Sequence, residues 1–175
     1  MVARPAEEEY EPAFGRYISR VADLEDAVVA LAVQRDQFAR SVASMTDKEA
    51  GYRYAPAKWS VRELIGHVCD AERIFTYRLL RIARADTTPL PGFEENDYVV
   101  NAESDVRALR DLIDEWQAVR SATIALVRGL PEQAWSRRGT SNGQPISARA
   151  LLYIVLGHVD HHLDVLHRRY GVPTL

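Results

Sequence analysis

The sequence predicts an all-α protein, a four-helix bundle with a long crossover connection. Four long stretches carry apolar residues spaced three and four apart, with few two-residue alternations. The eight prolines all stand where helix starts or connectors are compatible with them. The segment Ala85–Glu103 between the second and third stretches is long enough to run back along the bundle: extended, it reaches ~60 Å, against ~37 Å for the second helix. Sequence alone does not force this crossover over simple up-down packing. The expectation is one domain, residues 1–175, of which 1–20 form an irregular arm that Tyr17, Ile18 and Val21 could pack onto the body.

The first helix is expected from about Asp23 to Met45, with Leu24, Val28, Leu31, Phe38, Val42 and Met45 on one face and Arg35 interrupting it. The second begins at Ser60, which forms a capping box with Glu63, and runs to about Arg84; Trp59 before it could supply part of a hydrophobic staple. Its stripe holds Val61, Leu64, Ile65, Val68, Phe75, Leu79 and Ile82. The third runs from about Ser104 to Arg128 through Leu109, Ile113, Trp116, Val119, Thr123 and Leu126. A short turn at Pro131–Trp135 follows. The fourth runs from Ser147 to Tyr170 and is stopped by Gly171 and Pro173. Within the long connector, LPGFEENDY reads either as a site-forming loop or as surface packing of Phe93 and Tyr98.

Charge and composition exclude several classes. The 22 Lys+Arg against 25 Asp+Glu give a net charge of −3 with no basic block, so no nucleic-acid partner is expected. No apolar run approaches the ~20 residues of a membrane span, and the acidic start MVARPAEEEY is unlike a signal peptide. The single cysteine, Cys69, fits a reducing compartment, so the expected location is the cytoplasm. A chain of this size buries roughly 70% of its unfolded surface and needs no staple to fold.

The histidines carry the chemistry. Four of five fall in GHVDHHLDVLH, His158 to His167. Leu151, Val155, His158, His162, Val165 and Arg169 follow the 4-3-4-3-4 spacing of a bundle seam, so His158 and His162 occupy core-facing positions. Two buried imidazoles need partners. Either they hydrogen-bond within the core, or they share a metal ion, for which an i, i+4 pair on one helical face is well placed. His161 turns toward Gly157, Asp164 and Arg168, a polar side, and His167 lies beside Asp160 and Asp164. A third ligand has to come from another helix, and His67, at the flank of the second stripe, is the remaining histidine, although by itself a histidine there reads more readily as a packed or solvated residue. Cys69 points away from it and reads as a packing residue.

KWSVRELIGHVCDAERIFTYRLLRIARAD at Lys58–Asp86, then TPLPGFEENDY, then GTSNGQPISARALLYIVLGHVDHHLDVL resemble the DinB-like superfamily over residues 20–170. That group takes in YfiT-type metal-dependent proteins and thiol-dependent S-transferases. The resemblance implies a four-helix bundle with a long crossover, often a homodimer. It implies a divalent metal, zinc, nickel or iron, on a triad that falls by position on His67, His158 and His162. It also implies a low-molecular-weight thiol as a possible cosubstrate.

A three-histidine ion keeps a vacant position and can acidify a bound thiol or water. Between the two, the resemblance implies a metal-dependent transferase acting through an activated thiol, and that is the expected function. The alternatives are a metal-dependent hydrolase, or a non-catalytic metal-binding or dimerisation module. No G-x-S-x-G or P-loop competes with a metal-borne nucleophile. General acid and base residues are unassigned. Asp70 reads either as an orienting partner of His67 or as a solvated surface residue. Glu72, on the apolar stripe, is expected to pair with Arg35. Asn142 and Tyr98 could line the pocket. A cavity beside the triad with cationic and aromatic walls favours an enzyme; a sealed site favours the module.

Overall fold

The computed structural model describes residues 1–173. Four long helices build the bundle: α2 (Ala27–Val42), α4 (Val61–Ala83), α6 (Leu109–Arg128) and α7 (Ala148–Tyr170). Three shorter ones, α1 (Gly15–Ile18), α3 (Asp47–Ala50) and α5 (Glu95–Ala102), sit in the arm and connectors. The helix starts follow cap chemistry. Asp26 accepts from the Val28 and Val29 amides, Ser60 from Glu63 and Ser147 from Ala150, and the Ser60–Glu63 capping box is complete. Gly171, at φ 71°, ends α7 in the left-handed conformation. The third helix starts at Leu109, later than expected, because Ser104–Val106 forms a separate 3₁₀ turn behind Glu103, whose φ is +48°.

The order of helices around the bundle is α2, α6, α4, α7, and consecutive helices α2 and α4 lie diagonally opposite, as do α6 and α7. Facing residues give the directions. Glu72 meets Arg120 and Thr76 meets Thr123, so α4 and α6 run parallel. His67 meets His158 and Trp59 meets Tyr170, so α4 and α7 run antiparallel. Phe38 packs on Trp116 while Gln34 reaches Arg120, which makes α2 antiparallel to α6. Parallel neighbours require the return path that Ala85–Glu103 provides, so the long crossover is present, with α5 inside it packed on α4.

The hairpin β1 (Arg138–Ser141) and β2 (Gln144–Ser147), paired antiparallel, turns at Asn142-Gly143, both at positive φ. Sequence periodicity did not anticipate it. The arm is more ordered than expected. Tyr17, Ile18 and Val21 are buried, and the Arg4 guanidinium donates to the carbonyls of Ile18 and Val21. The Tyr153 hydroxyl donates to the Val2 carbonyl, and buried Glu9 pairs with Arg149. Arm and α7 come unusually close at Gly157, where a Cβ would stand 2.0 Å from the Tyr17 carbonyl oxygen.

The core has two apolar halves, one around Leu79, Leu152 and Ile154, the other around Phe38, Leu64, Trp116 and Leu166. Between them lies a buried polar band. Arg120 Nε stands 2.8 Å from Glu72 Oε1, its Nη2 donates to Oε2, and Thr123 donates to Oε1 at 2.7 Å. Gln34 accepts from Arg120 and donates to the Leu156 carbonyl. This corrects the expected Arg35–Glu72 pair. Arg35 lies on the half-exposed flank, bonded to Asp36 and Ser121. The reason is topological: α2 and α4 are diagonal, so the carboxylate on α4 finds its cation on the adjacent α6.

Candidate metal centre

The bundle brings His67 from α4 together with His158 and His162 from α7. All three are buried. Their Nε2 atoms converge, 3.1 Å from His67 to His158 and 3.2 Å from His158 to His162, and the three ligand atoms all lie within 4.8 Å of one another. Each pairing begins with a glycine. A Cβ at Gly66 would stand 2.3 Å from Ser104 Oγ, and Gly157 admits the arm backbone. Glycine inside a helix costs roughly 1 kcal/mol relative to alanine, so its presence beside two of the three histidines reflects close approach.

Burial sets the charge state. It pushes the His67 imidazole down to about 4 and holds His158 and His162 well below the ordinary histidine range. All three are neutral near pH 7, as metal ligation requires. The converging atoms are the Nε2 nitrogens; His162 Nδ1, elsewhere on its ring, is buried without a hydrogen-bond partner. A divalent ion fits the donor set. Nitrogens about 2.0–2.1 Å from a tetrahedral ion lie about 3.3 Å apart, close to the observed separations. Three neutral imidazoles leave open positions and suit zinc, copper, iron and nickel alike. Rings enclose the cluster: Trp59 lies 4.6 Å from the His67 ring, Tyr17 5.4 Å and Phe75 5.5 Å from His158, centre to centre.

The cluster is not sealed. A cavity of about 330 Å³ is lined by His67, His161 and His162, by Tyr17, Tyr54, Trp59 and Tyr170, and by Arg16 and Lys58 at the rim. A second chamber of about 150 Å³ lies against His67 and His158 and is lined by Phe75, Arg78, Phe93 and Asn142. Arg16, Tyr17, His67 and Glu95 wall both. The Tyr17 hydroxyl accepts from Arg16 at 2.9 Å, which fixes the ring between the chambers.

Asn142 lines the smaller chamber, whereas Tyr98 packs on Phe93 over a separate surface groove. Asp70 stands 3.5 Å from Arg73 in a surface network with Glu115 and makes no bond to His67. Cys69 is fully buried in the core half around Trp116, and burial pushes its thiol well up. His167 donates from Nδ1 to the Val172 carbonyl, away from the cluster. Sequence reasoning placed His161 on a polar side; the arm covers that side, and Tyr17 packs against the His161 ring at 5.7 Å. Of the cavity residues, Glu95 lies in the LPGFEENDY segment read as a possible site-forming loop, whereas Arg16, from the arm, carried no sequence signal.

The sequence matches the model of the DinB superfamily over residues 30–166. A provisionally named metal-dependent hydrolase of Oceanobacillus iheyensis is 20% identical over 146 residues, spanning 82% of this chain and 83% of that protein. Among solved structures, YfiT of Bacillus subtilis, described as an inferred metal-dependent hydrolase with an unusual four-helix-bundle topology, superposes with a TM-score of 0.71 at 20% identity. It covers 97% of this chain and 94% of its own. The mycothiol-dependent maleylpyruvate isomerase gives 0.66 at 18% identity, over 84% of this chain and 62% of that one. At these identities the structural likenesses speak for the fold.

Proposed function

The chain belongs to the DinB superfamily, and on that premise we propose that it is a divalent-metal enzyme that joins a low-molecular-weight thiol to an electrophile, with His67, His158 and His162 as the ligands. One observation carries the reading: three converging histidines open onto two chambers, His67 lining both, His162 the larger and His158 the smaller. Two chambers suit a reaction of two small molecules. A bound divalent ion would supply Lewis acidity, stabilising a thiolate near neutral pH.

The chain's own residues do the rest. Neutral imidazoles preserve the ion's positive charge. Tyr17, Trp59 and Tyr170 give the larger chamber aromatic walls against which the apolar part of a reactant can pack. Arg16 and Lys58 at its rim attract an anionic reactant. Cys69 offers no competing nucleophile, since its thiol is buried and held protonated. The same reading places the protein in the cytoplasm as a homodimer, in keeping with its unpaired cysteine and the family's habit.

Hydrolysis is the second reading, favoured by likeness over 82% and 97% of this chain to two proteins described as metal-dependent hydrolases. Elemental analysis together with turnover of an electrophile, measured with and without added thiol and chelator, separates the two. Turnover lost on removing either thiol or metal supports transfer; equal turnover without thiol points to hydrolysis. Protein that holds its metal yet shows no turnover in either assay leaves the non-catalytic metal-binding module.

A further inference from the structure

Arg78 is an unexplained charge. It lies on α4 with only 5% of its surface exposed. Its Nη2 donates to the Pro91 carbonyl at 2.7 Å, and its guanidinium stands 6.0 Å from the Phe75 ring centre and 5.8 Å from that of Phe93. No carboxylate pairs with it among the described residues, and burial alone lowers its pKa, with no anion offsetting it. A buried guanidinium without a counter-charge is costly. One carbonyl and two rings leave most of its five N–H donors without a protein acceptor.

Its place in the fold gives the charge a use. Arg78 comes eleven residues after His67, which returns it to within about 20° of the same helical face. Long helical side chains lean back toward the N-terminus, here toward the histidines. The guanidinium lies 6.0 Å from the Phe75 centre and Phe75 lies 5.5 Å from the His158 ring, which bounds the remaining distance at about 11.5 Å. Arg78 lines the smaller chamber. The charged groups facing it there are Arg16 and Glu95, so the walls carry an excess positive charge before any ion is counted. Asn142, at φ +53°, lines the same space, with its carboxamide packed against Gly92.

We propose that the smaller chamber is the binding site for a small organic acid, whose carboxylate is held by Arg78 with Asn142 beside it. The planar guanidinium fork matches a carboxylate bidentately, and Phe75 and Phe93 bound the apolar remainder. As the electrophile's subsite this rests on the thiol-transfer reading; as a carboxylate site it stands apart from it.

The test is titration of the purified protein with butyrate and with its neutral isostere butyramide, for wild type, R78Q and R78K, with zinc uptake and thermal unfolding recorded for each. Butyrate is expected to bind saturably and at least about tenfold more tightly than butyramide. R78Q should remove that preference while zinc uptake stays unchanged, and R78K should keep part of it. Equal binding of the acid and the amide by wild type, a comparison independent of how any variant folds, would overturn the site. So would butyrate binding undiminished in folded R78Q, which would leave Arg78 as a clamp on the Pro91 connector. Protein that takes up no zinc yet binds butyrate through Arg78 would remove the metal-enzyme reading and leave this one standing.

Discussion

Glu72 and Arg120 face each other between parallel helices with neither side chain more than 1% exposed. The pair crosses the bundle at the level where the two apolar halves of the core meet, and Gln34 extends it to the backbone of α7, two residues before His158. Removing one partner strands a buried charge. R120M is therefore expected to destabilise by ~3–5 kcal/mol, whereas R35A, on an exposed pair, should cost no more than ~1 kcal/mol. Urea unfolding of both, with an E72Q/R120M cycle, measures the coupling.

His158→Ala and His162→Ala should each abolish stable binding of one divalent ion per chain, while His161→Ala should leave uptake intact. Metal content after dialysis against limiting zinc reads this directly. Loss of uptake in the His161 variant would mean that the ligand set has been drawn on the wrong residue.

Cys69→Ala should retain metal uptake and whatever turnover the wild type shows, because the thiol is buried away from the cavity and held protonated. In the native protein Cys69 should react with a soluble disulfide reagent only after denaturant is added. Rapid labelling of the folded chain would contradict its place in the core.

Glu9 makes the arm sensitive to acid. Arg149 draws its carboxyl down from 4.5 to about 2. A depressed folded-state pKa contributes stability that is complete above 4.5 and declines as pH falls toward 2, here by at most about 3 kcal/mol. Unfolding measured from pH 5 to pH 2 should show this decline in the wild type, and E9Q should lack that part of it.

The four long helices were legible because their stripes and their Ser and Asp caps are local signals. The neighbour relations were not. A helical wheel gives the face on which Glu72 lies but not which helix faces it, so Arg35 looked as good a partner as any until α2 and α4 proved diagonal. The hairpin carries a local signal, Asn142-Gly143, but its four-residue strands are too short for periodicity to register. His158 and His162 stood out, since core-facing imidazoles are conspicuous against an apolar stripe, whereas His67, at the flank of its stripe, joined them through the family resemblance. The cavity around them did not stand out, because Arg16 and Tyr17 reach it through an arm whose anchors are backbone carbonyls and one buried carboxylate.

That arm also sets an order of events. Glu9 lies 140 residues before Arg149, and Tyr17 closes onto Gly157, a contact that spans nearly the whole chain. A growing polypeptide makes the arm long before the helix that receives it, so the arm has to wait, undocked, until α7 has emerged and packed. Contacts of such separation form late and slowly. The wall that Arg16 and Tyr17 give to both chambers therefore depends on both ends of the chain, and it can be completed only once α7 is there to receive the arm.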